Sequence, residues 1–100
     1  MAAPAATFGL DPLRLKSEIA RQCLTMTEQE LREKQGADFD KGYMGCQIGG
    51  HVHMIASLTV AKNYASPQLR PVLEQAIGTA QHHLDEAKSI MGKLDQRAQN

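Results

Sequence analysis

Apolar residues recur along this chain at helical rather than strand spacing, in three blocks separated by short breaks. The first block opens at Asp11-Pro12, an N-cap with proline at the first helical position, and runs through good helix formers to Lys34. At about 100° per residue, Leu15, Ile19, Cys23 and Met26 line one side of this helix, and Leu13, Ala20, Leu24 and Leu31 a second, displaced side. One neighbouring helix cannot cover so broad an apolar surface. Gln35-Gly36-Ala37 then breaks the pattern, and Asp38 is placed to cap a second helix reaching about Tyr64. Its stripe is Phe39, Tyr43, Met44, Ile48, Ile55 and Leu58.

The second helix also carries Gly42, Gly45, Gly49 and Gly50, each unfavourable by about 1 kcal/mol relative to alanine in a helix interior. Gly42, Gly45 and Gly49 fall near one face, which predicts that another helix approaches closely there. Ala65-Ser66-Pro67 repeats the cap-plus-proline signal, making the second and third helices an antiparallel hairpin. The third stripe runs from Leu69 through Val72, Ala76, Ala80, Leu84, Ala87 and Ile90 to Leu94, with Pro71 tilting the first turn. These elements predict an all-α fold, an antiparallel bundle of three helices. Residues 1–10 read as a disordered arm, 11–97 as a single helical domain and 98–100 as a frayed tail.

Three helices leave apolar stripes over, so the bundle is expected to be completed by homodimerisation, the simplest closed pairing of identical patches. Charge narrows the other partners. Eleven Lys plus Arg balance eleven Asp plus Glu, so the basic excess that drives nucleic-acid binding is missing, and no nucleic-acid partner is expected. No apolar run is long enough for a transmembrane segment, and the first residues lack the pattern of an export signal. Cys23 and Cys46 form no Cys-x-x-Cys pair and read as two small buried apolar residues.

The candidate chemistry lies in four histidines, which occur as two close pairs. Neighbours one or two positions apart point to different sides of a helix, so each pair offers one ring to the core. Stripe position selects His51, between Ile48 and Ile55, and His83, between Ala80 and Ala87; His53 and His82 are then nearer solvent. Folding the hairpin brings His51 and His83 within about one turn of each other. Gln47 precedes His51 by four residues and Glu86 follows His83 by three, so each sits beside its histidine. His51, His83, Gln47 and Glu86 are the candidate metal-binding set, with copper or zinc as the ion because the ligands are imidazoles. Core histidines more often fix helix register through a hydrogen bond, and that is the first expectation for this pair. Met44 and Met54 read as packing residues. No Glu-x-x-His motif occurs, which disfavours di-iron ferroxidase chemistry, and no phosphate loop, zinc-protease helix or triad stands out.

Phe39-Asp-x-x-Tyr43, Gln47, His51, Leu58, Ser66-Pro67-x-Leu69 and His83-Leu84 with Ala87 and Leu94 together resemble the bacterial ferritin-like domain-of-unknown-function family numbered 4142. The resemblance implies a ferritin-like half-bundle corresponding to the C-terminal part of that domain, since the family's N-terminal hairpin finds no counterpart before Asp11. It also implies a family often exported or periplasmic and without an established activity. The function expected is a non-enzymatic interaction or structural module acting through dimerisation; the alternative is a transition-metal binding protein using its core histidines.

Overall fold

The structure, a computed structural model, describes residues 9–99, and the side chains only as far as 97. The predicted arm, apart from Gly9 and Leu10, and the predicted tail, apart from the backbone at 98 and 99, lie outside the described residues. The fold is all-α: among the described residues there are three helices and no strand, α1 (Pro12–Arg32), α2 (Gly36–Lys62) and α3 (Arg70–Gln99). Contacts divide the chain between Lys34 and Gln35 into two units.

The first unit holds α1. Asp11 is extended, and its Oδ1 accepts hydrogen bonds from the backbone N–H groups of Leu13 and Arg14 at 3.1 and 3.3 Å, with Pro12 following where no N–H is needed. The helix ends two residues before Lys34, with Arg32 in its last turn. Cys23 is exposed rather than buried, as expected for a side chain on a helix that has no second element in its own unit.

The second unit is the antiparallel hairpin of α2 and α3. Lys41 Nζ meets Asp95 Oδ1 at 3.4 Å, a Cβ on Gly45 would stand 4.0 Å from Met91, and His51 faces His83. Steps forward along α2 are thus matched by steps back along α3. Between them, Ser66 Oγ accepts from the Leu69 N–H at 3.2 Å and the Ser66 carbonyl from the Arg70 N–H at 3.0 Å. The cap-plus-proline signal is therefore met, but the regular helix begins at Arg70 rather than Pro67. Pro71 has no N–H for the Pro67 carbonyl, and this gap interrupts the first turn.

Only Ala80, Leu84 and Ala87 are buried among the described residues. Their spacing of four and three places them on the line of α3 that faces α2. Half-buried Ile48, Ile55, Leu58, Leu73, Ile77, Met91 and Leu94 extend the contact along both helices. Cys46 is exposed, since it projects away from α3, so the second cysteine also departs from its expected burial.

Two glycine positions differ from their sequence reading. The second helix begins at Gly36, not after an Asp38 cap, and Gln35 makes no side-chain cap bond; Asp38 instead lies in the first turn, where its charge suits the helix dipole. Gly36 has φ +56°, a left-handed conformation that only glycine adopts without penalty. At Gly45 and Gly49 the predicted close crossing is not made by α3: both are exposed, and a Cβ on Gly49 would meet nothing within 4 Å, while Gly42 is half-buried. Alanine should therefore act with opposite sign at the two sites. Gly36→Ala is expected to cost about 1–2 kcal/mol, and Gly49→Ala to stabilise α2 by about 1 kcal/mol. Urea midpoints that fall for the first and rise for the second are the expected result; a fall for Gly49→Ala would show that another helix crosses there.

Candidate functional site

The hairpin has two unlike faces. One bears Lys41, Asp85 and Asp95, with Glu74, Lys88 and the exposed Val52 on the same side by helical spacing, and is tied down in part by the Lys41–Asp95 ion pair and by a 3.0 Å hydrogen bond from Gln81 Nε2 to Asp85 Oδ1. The other bears His51 and His83, with an open groove on either side of them. Toward the interhelix turn the groove is walled by Met54, Val72 and Ala76, and toward the helix ends by Tyr43, Met44 and Ile90. Glu86 is the one carboxylate lining either groove among the described residues. Tyr43, Met54, Val72 and Ile90 are exposed.

His51 and His83 come together as the folding of the hairpin predicts, with ring centroids 5.8 Å apart and planes at 81°, edge against face. His51 is half-buried, but His83 is exposed, so the second ring is not in the core of this hairpin. The reason is rotational. The line of α3 facing α2 runs through Ala80, Leu84 and Ala87, and His83, one residue before Leu84, is turned about 100° toward the edge of that line. His53 and His82 are exposed as expected.

The four candidate ligands do not converge as a set. Gln47 reaches His51 through its backbone: the Gln47 carbonyl oxygen stands 2.7 Å from His51 Nδ1. A carbonyl can only accept, so Nδ1 carries the proton and Nε2 of the neutral ring is left with its lone pair. Glu86 was expected beside His83 but is paired with His82, whose Nε2 lies 3.0 Å from Glu86 Oε1. The four-residue spacing from His82 aligns the two side chains along the exposed surface better than the three-residue spacing from His83. Among the described residues no group of three or more His, Cys, Asp or Glu side chains lies close enough to hold a metal ion. What one hairpin supplies is a pair of imidazoles.

Two polar residues of the face, Gln75 and Thr79, were not singled out in the sequence, yet both line the groove with His83. They precede His83 by eight and four residues, so the helical repeat that selected His83 would also have found them.

No helix among the described residues is long and apolar enough to cross a membrane. No curated protein and no solved structure matches the chain. A family model described as Domain of unknown function (DUF4142) matches residues 15–90, well over half of the sequence. The match extends further toward the N-terminus than the resemblance drawn from Phe39 onward: it takes in most of α1, all of α2, and α3 as far as Ile90. Both histidines and both grooves lie within this span, and the chain belongs to that family of domains of unknown function.

Proposed function

We propose that the chain is a non-enzymatic helical interaction module that pairs with a second copy of itself through the His51–His83 face, two hairpins together making a four-helix, ferritin-like arrangement. The observation that carries this reading is the contrast between the two faces of the hairpin. The charged face holds Lys41, Glu74, Asp85, Lys88 and Asp95 with exposed Val52, whereas the histidine face holds exposed Tyr43, Met54, Val72 and Ile90 around a polar centre with one carboxylate at its edge. A second copy presents no concentrated charge to repel the first.

Size supports the same occupant. With 27 residues in α2, the paired helices run side by side for about 40 Å, and two adjacent helices are about 20 Å wide. The resulting ~800 Å² is what each partner contributes to an interface of standard size. The polar pair lies between two apolar ends, so a two-fold axis through it sets like against like at the centre and apolar against apolar at both ends. Light scattering at micromolar concentration is expected to give twice the 10.9 kDa chain mass. A fully helical species of single mass at high concentration would refute the pairing.

A second reading, transition-metal binding, is favoured by one detail. The Nδ1–H of His51 is held by a backbone carbonyl, the arrangement that orients a histidine for coordination through its other nitrogen.

A further inference from the structure

We infer that two copies of this chain share one divalent transition-metal ion, bound by His51 and His83 of each, four imidazoles in all; the inference rests on the proposed pairing. It starts from a pair that is half of a site. Structural zinc takes four ligands in a tetrahedron, and histidine nitrogens are among its preferred donors. One hairpin provides two such donors and no third, because Glu86 is engaged by His82 and no other His, Cys, Asp or Glu side chain among the described residues comes near enough to complete the group.

The spacing of the pair suits an ion. Zinc–nitrogen bonds of ~2.1 Å directed at the tetrahedral angle place the centroids of two coordinating rings about 5 Å apart. The observed separation is 5.8 Å with the rings edge to face, so the His83 ring must turn for both rings to direct a nitrogen at one ion. With Nδ1 donating to the Gln47 carbonyl, Nε2 is the nitrogen through which a neutral His51 ring coordinates. No protein hydrogen bond holds the His83 ring among the described residues, so it is free to make that turn.

Position supplies the other two ligands. The pair lies between the Tyr43–Met44–Ile90 end and the Met54–Val72–Ala76 end of the open face. A two-fold axis lying in the plane between the two faces, perpendicular to the helices and level with that point, carries each pair onto its copy. Covering four imidazoles with apolar surface strands their lone pairs, and a shared cation satisfies them.

The test is to load the purified full chain with zinc and separately with cobalt(II), then measure metal per chain and mass together. Expected are one ion per two chains, a visible band of tetrahedral cobalt, and dimer mass with or without metal. His83→Gln, a conservative change at an exposed side chain, should lower zinc affinity roughly 100-fold or more and abolish the cobalt band, because it removes two of four ligands. His51→Ala should do the same, with helical content checked by circular dichroism. One ion per chain, or tetrahedral cobalt retained in His83→Gln, overturns the shared site. A metal-free dimer that takes up no zinc overturns it while leaving the pairing intact, and a monomer that takes up no zinc overturns both.

Discussion

Leu84→Asp is expected to unfold the hairpin of α2 and α3. Leu84 is 5% exposed, and its buried companions Ala80 and Ala87 are small, so it is the one large side chain buried among the described residues. Truncating such a residue to alanine costs about 2–5 kcal/mol. A carboxylate there adds the cost of desolvating an unpaired charge. A unit of this size has a total stability of the same order, about 0.05–0.15 kcal/mol per residue. Urea titration followed by circular dichroism should therefore find no folded baseline for Leu84→Asp, while Leu84→Met, which keeps volume and polarity, should lose less than about 1.5 kcal/mol. A folded Leu84→Asp hairpin would mean that the contact between the helices is centred elsewhere.

Local chemistry was the most legible part of the fold. Asp11-Pro12 starts its helix and Ser66 caps the turn that leads into α3 at Arg70, because the deciding interactions lie within two or three residues: Asp11 Oδ1 with Leu13 and Arg14, Ser66 Oγ with Leu69. Asp38 carried the same type of signal and lost. The left-handed Gly36 turns the chain two residues earlier, and an acidic side chain serves as well inside the first turn as at the cap. The antiparallel pairing of α2 with α3 and the approach of His51 to His83 also followed from counting turns about a short loop.

The parts that resisted reading depend on which neighbour covers which face. A stripe gives the angular width of an apolar surface but not the line along which the next helix touches it. Ala80, Leu84 and Ala87 centre that line on α3, and the resulting rotation takes His83 from an expected core position to the exposed edge. The glycines of α2 show the same limit. Their shared face was visible in the sequence, but α3 lies elsewhere on the helix, near Gly45 only through the tip of Met91. Glu86 had two histidines within helical reach, at three and four residues, and the longer spacing prevailed.

That rotation bears directly on assembly, because a ring at the edge of the contact line also lies at the centre of the open face. Val72→Glu is expected to abolish pairing, and Val52→Glu, the same change on the other face, to leave it intact. Both valines are exposed in the hairpin, 59% for Val72 and 50% for Val52, so neither charge disturbs the contact between α2 and α3. Their surroundings differ. Val72 walls the groove beside His51 and His83, whereas Val52 lies one residue on from His51, about 100° around α2, toward the side of the Lys41–Asp95 ion pair. About the proposed two-fold axis, the Val72 end of one copy packs on the Tyr43 and Ile90 end of the other, and the symmetry introduces the carboxylate twice. An unpaired charge buried among apolar groups costs several kcal/mol. Even about 3 kcal/mol weakens association by more than 100-fold, enough to convert a dimer of micromolar affinity into monomer at working concentrations. Sedimentation of the two variants beside the parent chain should give single mass for Val72→Glu and double mass for Val52→Glu, with helical content retained in both. Double mass retained by Val72→Glu would place the interface away from the histidine face, and single mass for Val52→Glu alone would move it to the charged one.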